Sequence, residues 1–284
     1  MGFVDPERTD FDKMRARLDT FAGLLPHAAG VDTRHGEICG LNAVWLTPNA
    51  AAVGKLLLYW HGGAYLMGSG KSHGPVVSHI AAAAGITALI PEYRLAPEHP
   101  YPAAIDDAVN VYRALLADGY DPADIVVAGD SAGGGLTVAM LLSLRDAGDP
   151  LPGAVCLMSP WLDLSGQGES MISRKDHDPW FDPELLSHVA QHYCDKKERR
   201  DPLISPVYAD AIDLPPTLIQ VGEDEILLSD SERFAANMRA AGGSVELDVW
   251  PGMWHVWQMF IGLIPESRRA VDKIGKFIRD KISS

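Results

Sequence analysis

Cysteines and long apolar runs are scarce in this sequence. Its three cysteines, Cys39, Cys156 and Cys194, are odd in number and far apart along 284 residues, so neither a disulfide framework nor a cysteine-rich metal site is indicated. No apolar stretch approaches the roughly 20 residues that a membrane-spanning helix needs. Residues 1–19 are charged and lack an apolar core, so a secretory signal peptide is not expected. These absences predict a soluble, cytoplasmic protein.

Basic residues are outnumbered by acidic ones. The chain has 24 lysines and arginines against 38 aspartates and glutamates, which gives a formal net charge of −14 at pH 7. Nucleic acids and anionic membranes are themselves negative, so this charge disfavours both as partners. His188 and His192 have an i, i+4 spacing, but they lack the glutamate of a zinc-binding His-Glu-x-x-His helix. We therefore expect no metal, no cofactor and no nucleic-acid partner.

The chain does contain the pentapeptide Gly-Asp-Ser-Ala-Gly at residues 129–133. It follows an apolar run at 124–128 and precedes a helical pattern at 136–144. A Gly-x-Ser-x-Gly turn between a strand and a helix is typical of the elbow that presents a nucleophilic serine, here Ser131. The start of the helix also supplies a free backbone N–H, that of Ala132, where an oxyanion would form. An ordinary structural turn is the alternative.

Strand and helix patterns alternate along most of the chain. Strands are predicted at 55–60, 86–90, 125–128, 154–158, 217–221 and 245–249, with weaker strand signals at 31–46. Helices are predicted at 11–25, 76–84, 102–117, 132–146, 184–193, 231–241 and 267–282. This alternation predicts an α/β fold with a parallel sheet covered by helices on both faces. Residues 163–210 lack a buried-strand signal and are predicted to form an insertion over the sheet edge at which ligands bind.

A nucleophilic serine needs an imidazole to accept its proton and a carboxylate to orient that imidazole. His255 lies in the loop after the last predicted strand and is the candidate base. The candidate acids follow the strand at 217–221, where Asp224 and Glu225 lie nearest the turn and the spacing alone does not separate them. Asp230, further along, is predicted to be the N-cap of the next helix.

A glycine-rich loop provides candidate oxyanion donors. The segment His-Gly-Gly-Ala at 61–64 directly follows the apolar run at 55–60. Glycine lets the backbone approach a substrate carbonyl closely. The backbone N–H groups of Gly62, Gly63 and Ala64 therefore join that of Ala132 as candidate donors.

With these residues assembled, the chain resembles the hormone-sensitive lipase-like esterases, also called bacterial family IV. The motifs that carry the resemblance are His61-Gly-Gly-Ala-Tyr65, Glu92-Tyr-Arg-Leu-Ala-Pro-Glu-His-Pro-Tyr-Pro-Ala103, Gly129-Asp-Ser-Ala-Gly-Gly134, Ser159-Pro-Trp-Leu-Asp163 and the Glu225 and His255 loops. The family implies a single α/β-hydrolase domain over residues 1–284, with a mostly parallel eight-stranded sheet. It also implies a helical cap, which here corresponds to about residues 1–28 and 163–210.

The resemblance also assigns roles to individual residues. It implies Ser131 as nucleophile, His255 as base and, by ungapped position, Glu225 rather than Asp224 as acid. It favours Gly63, Ala64 and Ala132 over Gly62 as oxyanion donors. This chain has Ala64 where the family usually has a third glycine, and the extra methyl is expected to crowd the substrate path.

The expected function is hydrolysis of short-to-medium acyl carboxylic esters by a Ser-His-acid triad, with a small-molecule ester as the binding partner. A non-catalytic small-molecule receptor on the same fold is one alternative, although the retained His255 disfavours it. An amidase or peptidase using the same triad is another. The resemblance further suggests a homodimer through an edge strand near the C-terminus, either the strand at 245–249 or its neighbour. It also predicts that Arg94, Glu98 and His99 form an internal polar network.

Overall fold

A computed structural model describes residues 10–282 of the chain. Its eight strands are β1 (Val31–Ile38), β2 (Leu41–Pro48), β3 (Leu56–Trp60), β4 (Thr87–Pro91), β5 (Ile125–Asp130), β6 (Ala154–Met158), β7 (Thr217–Gly222) and β8 (Val245–Trp250). They form one sheet in the order β1-β2-β4-β3-β5-β6-β7-β8. β2 runs in the opposite direction to the other seven strands. The predicted α/β-hydrolase architecture, with a mostly parallel eight-stranded sheet, is therefore confirmed.

The helices are α1 (Phe11–Ala22), α2 (Gly70–Ala84), α3 (Ala103–Ala117), α4 (Ser131–Ala147), α5 (Ser170–Ser173), α6 (Pro183–Tyr193), α7 (Leu228–Ala240) and α8 (Pro265–Ile282). Helix α2 begins six residues before its predicted start. The prediction placed the start after Pro75, but a capping box between Ser69 and Ser72 begins the helix earlier and Pro75 lies inside it. A local side-chain cap thus outweighs the proline as a boundary signal.

The central strands are buried on both faces because helices cover each side. Successive residues of β3 point to opposite faces, as the two-residue period of a strand requires. Leu58 and Trp60 pack in the core that also contains apolar residues of α3 and α4. Leu57 and Tyr59 pack in the second core, with apolar residues of α2 and α8. This two-sided burial explains why β3 reads as an uninterrupted apolar run.

The parallel strands β3, β5, β6, β7 and β8 all point their carboxyl ends toward one edge of the sheet. The loops that follow them therefore meet at this edge. These loops contain the glycine-rich segment 61–64, Ser159, the acidic segment 223–225 and His255, and Ser131 begins the helix that directly follows β5. Ligands bind at this edge in open α/β sheets, so the topology itself defines the candidate site.

Residues 163–210 contain α5 and α6 and no strand. Helix α6 contacts α1 through His192, whose ring lies 5.3 Å from the ring of Phe11 in an edge-on arrangement. The two segments predicted to form a cap therefore touch each other. Residues 1–9 of that predicted cap lie outside the described residues.

No helix between residues 10 and 282 has the length and apolar character needed to cross a bilayer.

Two ion pairs near the surface replace a predicted internal network. Arg94, Glu98 and His99 are all exposed, so the prediction that they form a buried polar network is wrong. Arg94 instead binds Asp107 at 2.7 Å, and Glu98 binds Arg15 of α1 at 2.7 Å. Arg94 and Glu98 remain open to water, whereas Asp107 is buried and its charge is compensated by the Arg94 guanidinium.

Candidate active site

Ser131 lies at the sharp turn between β5 and α4. Its backbone is in the left-handed region, with φ of 51°, which is unusual for a residue that is not glycine. A side chain at Gly129 or Gly133 would collide with backbone atoms, since a Cβ at Gly129 would lie 2.5 Å from the Gly133 carbonyl carbon. The two glycines therefore make the turn possible. The carbonyl of Ser131 accepts a hydrogen bond from Trp161 N at 2.9 Å, which fixes the elbow to the loop after β6.

The Glu225 carboxylate lies against His255. Its Oε2 atom is 2.8 Å from Nδ1 of His255, and its Oε1 atom accepts hydrogen bonds from Ser159 Oγ at 2.8 Å and Gly222 N at 2.6 Å. Glu225 is fully buried, and these three donors compensate for the water that its charge has lost. The alternative acid, Asp224, is half-buried, and its carboxylate forms no hydrogen bond with any residue of the described range.

His255 is buried, with 8% of its surface exposed. Burial alone lowers the pKa of His255, but the hydrogen bond and negative charge of Glu225 outweigh it, so the pKa is raised above 6.5. Because Nδ1 faces Glu225, the opposite nitrogen, Nε2, is left to act as a base. The ring of Phe181, from the 163–210 segment, packs edge-on against this imidazole at 4.9 Å.

Ser159 connects the acid and histidine loops, a role that sequence reasoning missed. Its Oγ atom donates to Glu225 Oε1 and accepts a hydrogen bond from Val256 N at 3.1 Å. Its backbone N–H donates to Gln220 O at 2.7 Å, and its φ is 44°. Ser159 opens the Ser-Pro-Trp-Leu-Asp motif, so the motif marked its position without indicating its partners.

Three of the four predicted oxyanion donors have free N–H groups. No described residue accepts a hydrogen bond from the backbone N–H of Gly63, Ala64 or Ala132. The N–H of Gly62, in contrast, is donated to Asp130 Oδ1 at 2.9 Å. Gly62 is therefore a wrong candidate for an oxyanion donor, because its hydrogen is already used within the protein. Ala64 adopts a φ of 60°, so its methyl group is held in strained backbone.

The sequence predicted Asp230 as the N-cap of α7, and this prediction is wrong. The helix begins at Leu228, and the carboxylate of Asp230 accepts the backbone N–H groups of Leu162 and Asp163 at 2.9 and 2.8 Å. Burial, together with the nearby charge of Asp163, raises the pKa of Asp230 well above its usual value. Asp230 thus fastens the loop after β6 to α7, a long-range contact that local spacing does not reveal.

The candidate site contains no cluster of metal ligands in the part of the chain that the structure describes. Over residues 10–282, no group of three or more His, Cys, Asp or Glu side chains is arranged to hold an ion. Ser131, the His255 imidazole with its Glu225 partner and the free backbone N–H groups are the groups that nucleophilic serine chemistry uses.

Comparisons with known proteins show which family the chain resembles in sequence and fold. A family model described as alpha/beta hydrolase fold matches residues 57–259. An acetyl-hydrolase of Streptomyces hygroscopicus is 41% identical over 98% of this chain and 90% of that protein. An esterase of Acinetobacter venetianus is 37% identical over 93% of this chain and 87% of its own length. The crystal structure of an esterase from the bacterial hormone-sensitive lipase family superposes with a TM-score of 0.94 at 43% identity, covering 97% of this chain and 93% of that one.

Proposed function

Because this chain belongs to the α/β-hydrolase fold family, among its hormone-sensitive lipase-like esterases, we propose that it hydrolyses short-to-medium acyl esters through an acyl-enzyme on Ser131. The chain is an ester hydrolase, as its relatives over nearly its full length are. The observation that carries the proposed mechanism is the 2.8 Å contact between His255 Nδ1 and Glu225 Oε2.

In the proposed reaction, Ser131 Oγ attacks the ester carbonyl while His255 Nε2 takes its proton. Glu225 holds the Nδ1–H and stabilises the imidazolium that forms. The negative oxygen of the tetrahedral intermediate accepts hydrogen bonds from the backbone N–H groups of Gly63, Ala64 and Ala132. His255 then protonates the departing alcohol. Water, deprotonated by the same imidazole, then attacks the acyl carbonyl. The bond to Ser131 Oγ breaks, His255 returns the proton to that oxygen, and the carboxylic acid leaves.

The substrate class follows from the oxyanion turn and from the relatives. The methyl group of Ala64 projects from the turn that is proposed to hold the carbonyl oxygen, so small acyl groups are favoured over bulky ones. One of the most similar relatives is named for acetyl hydrolysis. We therefore place the substrate among acetyl and other short-to-medium acyl esters.

The 163–210 segment and α1 form a cap over this site in the proposed arrangement. Two contacts support this arrangement: Phe181 of that segment contacts His255, and Phe11 of α1 contacts His192 of α6.

The homodimer also stays a proposal. Among residues 10–282, strand β8 lies at one end of the sheet order and pairs only with β7, which leaves its other edge as the proposed contact with a second copy.

The experiment that tests this function compares the wild-type protein with Ser131→Ala on p-nitrophenyl acetate and butyrate. The account expects hydrolysis by the wild type and its loss in the variant, with an unchanged far-UV circular dichroism spectrum. Full activity of a folded Ser131→Ala protein would refute the assignment of the nucleophile. A series of p-nitrophenyl esters from acetate to palmitate locates the chain-length optimum. A maximum at long chains would contradict the predicted preference for short-to-medium acyl groups.

A further inference from the structure

The residue before the nucleophile reaches back to the glycine-rich loop. Oδ1 of Asp130 accepts hydrogen bonds from Gly62 N at 2.9 Å and from the Tyr59 hydroxyl at 2.7 Å. A side chain at Gly62 would collide with this carboxylate, because a Cβ there would lie 2.9 Å from Asp130 Cγ. The carboxylate therefore packs directly against the peptide that precedes Gly63 and Ala64.

A second residue, His73 of α2, pairs with the same carboxylate. Its Nε2 atom lies 3.4 Å from Asp130 Oδ2, and both side chains are almost fully buried. Its Nδ1 atom lies 2.8 Å from Ser72 Oγ and 3.3 Å from Ser69 O, both able to accept a hydrogen bond. Each ring nitrogen thus faces an acceptor, which is the arrangement that an imidazolium requires.

The neighbouring titratable groups agree with one positive charge at this position. Burial lowers the pKa of His73, but the negative charge of Asp130, a hydrogen bond from His73 to the Ser69 carbonyl and the charge of Glu92 raise it more, so the net shift is upward. The His61 ring lies 5.4 Å away, and burial together with the charge of His73 lowers the pKa of His61 to about 3. At neutral pH His61 is therefore uncharged. Burial raises the pKa of Asp130, but His73 and the hydrogen bonds of Tyr59 and Gly62 lower it overall.

We propose that Asp130 and His73 form a buried ion pair that positions the oxyanion turn and cancels the negative charge next to the nucleophile. This inference rests on the proposed function. The carboxylate holds the Gly62 N–H and so orients the next two N–H groups, those of Gly63 and Ala64. The imidazolium is needed because an unpaired anion one residue from Ser131 would oppose the negative charge that develops on the substrate oxygen.

Both residues act as positioning residues, since neither is proposed to touch the substrate. The distinctive consequence is that removing His73 alone is worse than removing both charges. In Asp130→Asn the new amide keeps an oxygen that can accept the Gly62 N–H, so the turn retains its support without the charge. An unpaired Asp130 carboxylate would also stabilise the His255 imidazolium, whose pKa already responds to the charge of Asp130.

The test is a double-mutant cycle of His73→Gln and Asp130→Asn, assayed with p-nitrophenyl acetate. For His73→Gln we expect kcat to fall by about tenfold or more, with KM changed by less than about threefold. We expect the double variant to recover at least about half of the lost activity on a logarithmic scale. The acid limb of the kcat/KM profile moves to higher pH in His73→Gln and returns in the double variant.

His79→Gln, a histidine substitution on the same helix away from this pair, is the matched control and keeps wild-type rates. Labelling with a fluorophosphonate counts the competent sites in each preparation. If His73→Gln fails to fold, the double variant decides: recovery of folding and activity supports the ion pair, and no recovery overturns it. A double variant no more active than His73→Gln, with hydrolysis still dependent on Ser131, overturns the ion pair alone. Hydrolysis that survives Ser131→Ala overturns the proposed function itself.

Discussion

The carboxylate of Glu225 lies 2.8 Å from the Nδ1 atom of His255, and no comparable contact joins His255 to Asp224. The longer glutamate side chain reaches the imidazole from a loop whose first residues run alongside the loop after β8. Glu223 N donates to Trp250 O at 2.9 Å and Asp224 N to Met253 O at 3.0 Å. Asp224 is therefore held through its backbone, while Glu225 turns inward.

Replacing the acid is predicted to impair catalysis far more than replacing its neighbour. In the wild type, His255 Nδ1 faces one oxygen of Glu225 and Gly222 N donates to the other. In Glu225→Gln one of these oxygens becomes an NH₂ group, so either orientation of the amide places two donors against each other. We expect kcat to fall by about 10²- to 10⁴-fold. Asp224→Asn is the matched control, with kcat within about threefold of the wild type because its half-buried carboxylate has no hydrogen-bond partner among residues 10–282. A larger loss in Asp224→Asn would reverse the assignment.

The pH profile follows from the state of His255. Its pKa is raised above 6.5, and only the neutral imidazole can accept the serine proton. Activity is therefore retained above this pKa and lost as the pH falls through it, so the acid limb of kcat/KM has its midpoint above 6.5. In Glu225→Gln the charge that stabilises the imidazolium is gone, and the midpoint moves to lower pH. A midpoint that rises in this variant would contradict the proposed pairing.

Removing the Ser159 hydroxyl is predicted to loosen the triad without abolishing it. Ser159→Ala takes one of three donors from Glu225 and leaves the buried Val256 N–H without an acceptor. We expect a stability loss of about 1–3 kcal/mol and a fall in kcat of about three- to tenfold. Thermal unfolding and steady-state kinetics measure the two effects. Ser143→Ala, which removes a hydroxyl from α4 far from the triad, is the control and leaves kcat unchanged.

Ala64→Gly is predicted to widen the substrate range. The glycine keeps the backbone N–H, removes the methyl group and relieves a φ of 60°, a strain of about 1–2 kcal/mol. We expect the ratio of kcat/KM for p-nitrophenyl hexanoate to that for the acetate to rise. Ala52→Gly, in the loop before β3, leaves this ratio unchanged. An equal ratio in Ala64→Gly and the wild type would show that the methyl does not limit the acyl group.

Much of the fold follows from patterns that act over short distances. The central strands were predictable because burial on both faces makes them uninterrupted apolar runs, as in β3. The positions of Ser131 and His255 follow from the strands that precede them, because a parallel sheet brings its carboxyl ends to one edge. The choice between Asp224 and Glu225 depended on resemblance, since both lie in the same turn.

The contacts that were missed join residues far apart in the sequence. Asp230 has the spacing of a helix cap, yet its carboxylate binds two backbone N–H groups more than sixty residues away. Gly62 lies in the same glycine-rich loop as Gly63, and only the fold reveals that the Asp130 carboxylate accepts the hydrogen bond from Gly62 N–H. Ser159 and His73 likewise acquire their partners by tertiary packing, which local patterns do not encode.

The central claim is that Ser131 carries the acyl group during turnover, and the mass of the intermediate tests it most directly. The protein is mixed with excess p-nitrophenyl butyrate, quenched in acid within the first turnovers, digested and analysed by mass spectrometry. The account predicts one butyryl group on the peptide that contains Ser131, and none in Ser131→Ala. A butyryl group on another residue, or turnover with an unmodified Ser131 peptide at every quench time, would contradict it.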